Sequence, residues 1–379
     1  MPWTRVGTLW TYAGPRWAAG ARHARLALFD FDSTLAPHRG RGPPAELTLA
    51  VLAALSRDAG WQVAVFTNRG RDSAEALAPL RSYVARLEAA GGSCDVYASV
   101  ARDRNRKPQV GAWERFLARR RGGRPLAPLE RARAYFCGDA AGRVGDFSAS
   151  DRNFARNIGV RFRVPQQIFG ALGAPRGAPA GTFLDDPPPA DHPDVAVVEA
   201  TLARAGRPES WAETVRVLGA AAGHDAVLLV GSPASGKSRL ARWLAEARGF
   251  AVASRDLQGS KARCRAFACS ALRRGGVVLD NTHRTAAARG YYTDAIRERR
   301  PGATVAIVWL DTPRPVCHHL DGLRCDSDPA GGTPLLPRVA IAAYWARFEP
   351  PEGGEADSLY RLAFAAAPGA GRALSGRYG

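Results

Sequence analysis

Two short runs of residues in this chain have the types and spacing for chemistry on phosphorus. The first, Asp30-Phe31-Asp32-Ser33-Thr34-Leu35, follows the apolar run ARLALF and sets two carboxylates two positions apart where the chain leaves a strand. Two such acids can divide labour: one attacks phosphorus to give an aspartyl-phosphate, and the other protonates the departing oxygen and later activates water. Further polar groups follow in the order that this chemistry needs. Thr67-Asn68, after QVAVF, offers a hydroxyl and an amide to phosphate oxygens, and Lys107-Pro108 supplies a cation for the charge of the phosphoenzyme. Asp139, after RAYFC, adds an oxygen ligand for Mg²⁺ beside Asp30, and Asp32 is counted with them. Taken singly, each has an ordinary structural reading as a loop cap, a turn, a surface cation or a helix cap.

The second run, Gly231-Ser232-Pro233-Ala234-Ser235-Gly236-Lys237-Ser238, matches the GxxxxGKS phosphate-binding loop in full. It lies between the apolar strand AVLLV and the helix-like RLARWLAEARG, which is the context that such a loop requires. Backbone N–H groups and the helix N-terminus cradle phosphates, Lys237 reaches the β/γ oxygens of a nucleotide, and the Ser238 hydroxyl can hold Mg²⁺. Nucleotide binding alone does not choose among ATPase, GTPase and kinase. Arg255-Asp256 follows the strand GFAVAS, and an Asp there could accept the proton of an attacking hydroxyl, the role a kinase needs. Asp280-Asn281, ending GGVVLD, provides a second polar strand end.

Positioning these groups calls for parallel sheets, because open α/β sheets hold their ligands past the carboxyl ends of the strands. Residues 24 to 170 alternate short apolar runs with helix-like stretches such as ELTLAVLAALSRDAG, and a second such pattern begins near Asp225. The fold class expected is α/β, with two doubly wound domains on parallel sheets. Between them, the Gly-, Pro- and Ala-rich stretch from about Gly170 to Pro189 reads as an interdomain linker. The expected division is 1–185, a linker at 186–222, and 223–379, with the tail PGAGRALSGRYG frayed.

A length of 379 residues exceeds what one core usually supports, and 46% apolar residues suffice to fill two. The 53 Lys+Arg against 35 Asp+Glu leave a net charge of +18, which favours nucleic acid as a partner, with biased composition as the competing explanation. Six cysteines without a CxxC pair exclude a disulfide framework and a structural zinc site, and imply a reducing compartment. No apolar run approaches the roughly 18 residues that span a bilayer, so no membrane association is expected.

The four polar stations of the N-terminal half resemble those of haloacid-dehalogenase-like phosphatases. The stretches KPQVGAW, GDAAGR and DFSASDRNFARNIG narrow this: they resemble the phosphatase half of the polynucleotide kinase 3′-phosphatase family. The C-terminal half resembles that family's P-loop kinase half through SRDLQGSKARC, the strand ending DNT, HHLDGLR and PLLPRVAIAAYWARFEPP. The resemblance implies a 3′-phosphatase joined to a 5′-hydroxyl kinase with Mg²⁺ and ATP as cofactors, and nucleic-acid ends, DNA above all, as substrate. By that resemblance Asp256 is the general base, Arg255 a substrate or phosphate contact, Asp280 with Asn281 a support, and Arg324 a clamp on the transferring phosphate. A role in strand-break repair, and with it the nucleus, is the expectation. Fewer than about 25 residues precede the first strand, too few for the family's forkhead-associated domain, so recruitment through phosphopeptide scaffolds is expected to be absent. Departures from the family pattern are Ser33 for Gly, Arg69-Gly70 for a Gln-containing loop, Ser254 and His283 for Asn, and Leu320 for an Asn in the lid segment. The rival readings are a phosphatase fused to a small-molecule kinase and a non-catalytic nucleic-acid end-binding protein.

Overall fold

The structure is a computed structural model describing residues 3–15, 25–58, 60–143, 146–170, 193–328 and 333–366. It divides into an N-terminal unit, Met1–His192 with Gly322–Leu335, and a C-terminal unit, Pro193–Asp321 with Leu336–Gly376.

The N-terminal unit runs β1 (Thr4–Val6), β2 (Leu9–Tyr12), β3 (Arg25–Phe29), α1 (Ala45–Arg57), β4 (Trp61–Asn68), α2 (Ala74–Ala89) and β5 (Asp95–Ser99). It continues through α3 (Gly111–Arg121), α4 (Pro128–Ala132), β6 (Ala134–Cys137), α5 (Ser150–Ile158), β7 (Arg161–Arg163) and α6 (Pro165–Phe169). The strands form one sheet in the order β1-β2-β5-β4-β3-β6-β7. From β5 to β7 all neighbours are parallel, as expected, and a β1–β2 hairpin adds two antiparallel strands at one edge. Gly7, at φ +59°, provides the left-handed backbone for that tight turn.

Alternate residues serve opposite faces of this sheet. Phe29, Val63, Val65 and Val96 pack with Leu52, Leu80 and Tyr83 from α1 and α2, whereas Leu28, Ala64, Phe66 and Tyr97 pack with Trp113, Phe116 and Phe154 from α3 and α5. A strand buried on both sides reads as a continuous apolar run, which is why ARLALF and QVAVF are legible. Each fully buried Leu or Phe contributes roughly 1.5–3 kcal/mol.

The chain then runs through α7 (Pro193–Ala205), α8 (Pro208–Ala221), β8 (Ala226–Val230), α9 (Lys237–Arg248), β9 (Ala251–Ala253), α10 (Arg255–Gln258) and α11 (Lys261–Ala271). After these come β10 (Val277–Asp280), α12 (Ala286–Arg299), β11 (Val305–Asp311), α13 (Arg314–Asp326), α14 (Arg338–Trp345) and β12 (Ser358–Ala363). The five strands of the C-terminal unit are all parallel, in the order β12-β11-β8-β10-β9. In each sheet the first long parallel strand, β3 or β8, has later strands on both sides. A crevice opens at such a reversal, past the carboxyl end of the strand.

Two boundaries differ from the sequence expectation. From Pro193 onward the stretch read as linker is helical, and α8 buries Thr214, Val217, Leu218 and Ala221. That i, i+3, i+4, i+7 stripe packs its apolar members with Val227, Leu229 and Leu244, so α8 is core rather than connector. Gly322–Leu335, expected in the C-terminal domain, groups with the N-terminal unit, where Leu335 N donates to the Arg102 carbonyl at 2.7 Å and Val110 N to the Asp326 carboxylate at 3.3 Å. The rest of the linker and the C-terminal tail lie outside the described residues. All six cysteines are free, and among the described residues no helix is long and apolar enough to cross a membrane.

Candidate active sites

The N-terminal crevice is built where β3, β4 and β6 end. Asp30 follows β3 and is 7% exposed, and the ammonium of Lys107, reaching in from the loop after β5, donates to Asp30 Oδ1 at 2.5 Å. The same ammonium donates to Asp151 Oδ1 at 2.6 Å, from the first turn of α5. Asp151 Oδ2 accepts from Ala140 N at 3.1 Å. A side chain at Gly138 would overlap the Asp151 carboxylate, which is why the strand leaves β6 on a glycine.

Carboxylate oxygens of Asp30, Asp139 and Asp151 all lie within 4.8 Å of one another. Burial raises Asp30 against the pull of Lys107. It also lifts Asp139 to about 6, the Asp30 charge adding to the effect, and Asp151 to about 7 with Lys107 opposing. Burial would depress Lys107, but Asp151 and Asp30 outweigh it and hold the ammonium charged. Three acids to one ammonium leave negative charge to be neutralised. Three convergent oxygen donors in such a place fit a hard divalent cation such as Mg²⁺.

The other predicted residues divide. Thr67, 2% exposed at the end of β4, has no partner for its hydroxyl among the described residues. An unmet buried hydroxyl costs about 1–3 kcal/mol, and an arriving phosphate oxygen would satisfy it. Asn68 is committed elsewhere: its Nδ2 donates to the Lys107 carbonyl at 3.0 Å and its Oδ1 accepts from Lys107 N at 2.9 Å. Its amide therefore fixes the backbone that aims Lys107 and is not free for phosphate, a correction to the sequence reading. Asp32 also departs, because its carboxylate lies outside the three-acid cluster and pairs with the guanidinium of Arg69. Ser33 sits at φ +57°, a left-handed backbone that explains why the family resemblance has glycine there.

In the C-terminal unit the loop at 231–238 joins β8 to α9, with Ala234 at φ +61° and Gly236 at φ +102° bending the backbone into the cradle. Lys237 is 7% exposed, and its ammonium donates to the Ser232 carbonyl at 2.6 Å. Burial lowers it to about 8, while Asp280 and Asp256 pull the other way, so both acids lie within electrostatic reach of the loop. Ser254 caps α10 by accepting from Leu257 N at 3.1 Å. Asn281 Oδ1 accepts from Arg255 N at 2.9 Å, tying α10 to the end of β10. Asp256 is exposed and forms no ion pair among the described residues. Ser238 stands exposed in the first turn of α9. Arg324 groups with the N-terminal unit rather than with the loop, and its Nη2 donates to the Pro334 carbonyl at 2.8 Å.

Comparison with known proteins bears on both units. The family model described as polynucleotide kinase 3 phosphatase matches residues 25–169. A bifunctional polynucleotide phosphatase/kinase of Schizosaccharomyces pombe is 28% identical over 257 residues, covering 68% of this chain and 56% of that protein. An uncharacterized 20.8 kDa protein of Autographa californica nuclear polyhedrosis virus is 30% identical over 181 residues, covering 42% of this chain and 96% of that protein. The chain belongs to the polynucleotide kinase 3′-phosphatase family. A putative bifunctional polynucleotide phosphatase/kinase of Acanthamoeba polyphaga mimivirus is 25% identical over 274 residues, with 68% of this chain and 62% of that protein covered. The chain thus aligns with less than two thirds of the length of the two bifunctional relatives.

In this family member sequence reasoning missed Asp151 and Arg69 as parts of the N-terminal site. Asp151 lies within the quoted DFSASDRNFARNIG, and the signal that could have found it was an acid at a helix start after the third polar strand end. The Asn68 geometry yields a prediction. Asn68→Ala removes both bonds to the Lys107 backbone and should slow phosphate release about tenfold while leaving the C-terminal activity alone. Equal turnover by Asn68→Ala and wild type in a 3′-phosphate release assay would dismiss the positioning role.

His283, the departure from the family's Asn, is 2% exposed at φ +42°. Its Nδ1 faces the Leu229 carbonyl at 2.9 Å, which requires a proton on Nδ1, and its Nε2 has no partner among the described residues. Burial depresses it to about 4. The unfolded chain therefore takes up a proton below about pH 6.5 that the folded chain refuses until about pH 4. Stability falls through that window by about 3 kcal/mol. The His283→Asn variant should lose correspondingly less on going from pH 8 to pH 4.5, read from denaturant midpoints.

Proposed function

We propose that the chain is a bifunctional polynucleotide 3′-phosphatase and ATP-dependent 5′-hydroxyl kinase that restores ligatable ends at strand breaks, in DNA and in the nucleus. The observation that supports the reading is a cluster of acids around Lys107 in one unit and a glycine-bent loop around Lys237 in the other.

In the N-terminal unit Asp30 attacks the 3′-phosphorus. The bond to O3′ breaks, and Asp32 supplies the proton to the leaving oxygen. A water then attacks the aspartyl-phosphate, Asp32 takes its proton, and inorganic phosphate leaves. Lys107 and the Thr67 hydroxyl meet the phosphoryl oxygens, and Asn68 holds Lys107 to its task. Asp30, Asp139 and Asp151 would hold Mg²⁺, which when bound supplies positive charge against the phosphoryl oxygens.

In the C-terminal unit the loop 231–238 holds the phosphates of ATP, with Lys237 and Ser238 toward the reacting end. Asp256 removes the proton of a 5′-hydroxyl as its oxygen bonds to the γ-phosphorus and ADP departs. Arg255 contacts the phosphates, and Arg324 is proposed as their clamp on the family resemblance alone. The products, a 3′-hydroxyl and a 5′-phosphate, are the ends that a ligase joins.

The test is purified protein with ATP, Mg²⁺ and a gapped duplex bearing 3′-phosphate and 5′-hydroxyl ends, run beside its RNA equivalent and free nucleosides and sugars. Conversion of both polymer ends supports the reading. Phosphorylation of a small molecule alone, or binding without turnover, replaces it.

A further inference from the structure

Among the described residues the carboxylate of Asp32 has a single tether. Its Oδ2 accepts from Arg69 Nη2, while Oδ1 has only His38 Nδ1 near it, at 3.9 Å and beyond hydrogen-bond range. Arg69 is itself buried, 8% exposed, in the loop that leaves β4. Its N donates to the Ser99 carbonyl at 2.7 Å, its own carbonyl accepts from Arg106 Nη1 at 3.1 Å, and its guanidinium lies over the Phe31 ring at 5.6 Å. The backbone is thus fixed beside the crevice, and the head is aimed at Asp32.

Two features of this pair belong together. A guanidinium carries five N–H donors, yet the bond to Asp32 is the one hydrogen bond that the Arg69 side chain makes among the described residues. A buried cation with most of its donors unmet is suited to a further anion. Asp32, the group read as serving O3′, is held by that same bond outside the cluster of Asp30, Asp139 and Asp151. The side on which this happens matters. Thr67, Lys107 and the three acids are the groups read as meeting the phosphoryl oxygens and their metal. The partner of the acid that serves O3′ therefore stands on the leaving side, from which the next phosphodiester of a strand arrives.

We propose that Arg69 is a latch on Asp32 which a polynucleotide opens. The phosphodiester next to the 3′-terminal nucleotide takes the guanidinium, accepting two parallel N–H bonds where Asp32 accepts one, and the freed carboxylate turns to O3′. A small phosphomonoester brings no such group and leaves the latch closed. Arg69 is then the residue by which the N-terminal site selects strand ends, an inference that rests on the 3′-phosphatase reading and deepens it.

The test is steady-state release of inorganic phosphate by the full chain with Mg²⁺ from three substrates. These are a 3′-phosphorylated trinucleotide, the same trinucleotide with a neutral methylphosphonate at the linkage next to the 3′ end, and thymidine 3′-monophosphate. Wild type should turn over the first with a kcat about tenfold above the other two, the scale of one charge-assisted bond. Arg69→Gln should raise kcat on the methylphosphonate and the mononucleotide, raise KM for the charged trinucleotide about tenfold, and treat the two trinucleotides alike. Arg69→Lys, which keeps the charge without the fork, should keep part of the preference. An arginine that merely shapes the loop would not tie its effect to the charge of one linkage. Because the methylphosphonate comparison needs only wild-type protein, it decides the matter even where Arg69→Gln disturbs folding. Equal kcat of wild type on the three substrates, or an equal fall on all three in Arg69→Gln, would overturn the latch and leave the phosphatase reading in place. No release by wild type from any of them would overturn that reading itself, and the latch with it.

Discussion

Asp30→Asn is expected to reduce 3′-phosphate release by on the order of 10²-fold or more and to leave 5′ phosphorylation at the wild-type rate. Asn keeps the shape of the side chain and can still accept from the Lys107 ammonium, now 2.5 Å from Asp30 Oδ1, so the site should hold its form while losing the atom that attacks phosphorus. Buried charge adds to the argument. Asp30 is held in a crowd of acids where burial already disfavours its ionised form, so removing its charge relieves Asp139 and Asp151, both of which it pushes upward. Folding should therefore survive, and the loss should be chemical. Release of inorganic phosphate from a 3′-phosphorylated oligonucleotide is the readout, with transfer of labelled γ-phosphate to a 5′-hydroxyl measured on the same preparation. A parallel fall in both activities, in protein of unchanged thermal stability, would sink the division into two centres.

Lys237→Met should do the reverse, with a second signature that a merely structural lysine would not give. Transfer to the 5′-hydroxyl is expected to drop by on the order of 10²-fold or more, because the Lys237 ammonium is the charge held within the loop, on the Ser232 carbonyl. At the same time the folded unit should become more stable. The ammonium is buried and lowered to about 8, against about 10.5 when unfolded, so at neutral pH the folded chain pays to keep it charged. The unfolded state binds the extra proton between those two values, so wild-type stability rises as pH climbs from about 8 to 10.5. Met removes that dependence. The variant should thus exceed wild type by about 3 kcal/mol at pH 7, the gap closing toward pH 10, as read from denaturant midpoints. Lower stability of Lys237→Met at pH 7 would contradict a lysine held there for its ligand. Retained transfer would contradict the kinase assignment itself.

How far the sequence could be read depended on whether the signal was local. The strands that carry the sites were visible because sheets covered on both faces bury Leu26 to Phe29 and every residue of QVAVF and AVLLV, and the polar groups just past them stood out by contrast. The loop at 231–238 was visible because its backbone bends need glycine at fixed places. Asp151 was hidden because only the packing of α5 against the end of β6 brings it to Asp30, and it lies twelve residues beyond Asp139. Asn68 was visible but given the wrong task, since its partner is a backbone segment far along the chain. The helix α8 was absorbed into a linker because an Ala- and Gly-rich background blurs the spacing of Val217, Leu218 and Ala221. The edge strand β12 alternates exposed and covered residues and adjoins only one neighbour, so no apolar run announced it.

Neither unit is made from one uninterrupted length of chain. Gly322–Leu335 completes the N-terminal unit, and β12 supplies the outermost strand of its successor from Ser358–Ala363. During synthesis the two must therefore mature in overlapping fashion, the first waiting on a segment that emerges only after most of the second has been made. A fragment cut at His192 to isolate the N-terminal unit would leave the Arg102 carbonyl and the Val110 amide without the partners that Leu335 and Asp326 give them, and is best supplemented with a peptide spanning 322–335.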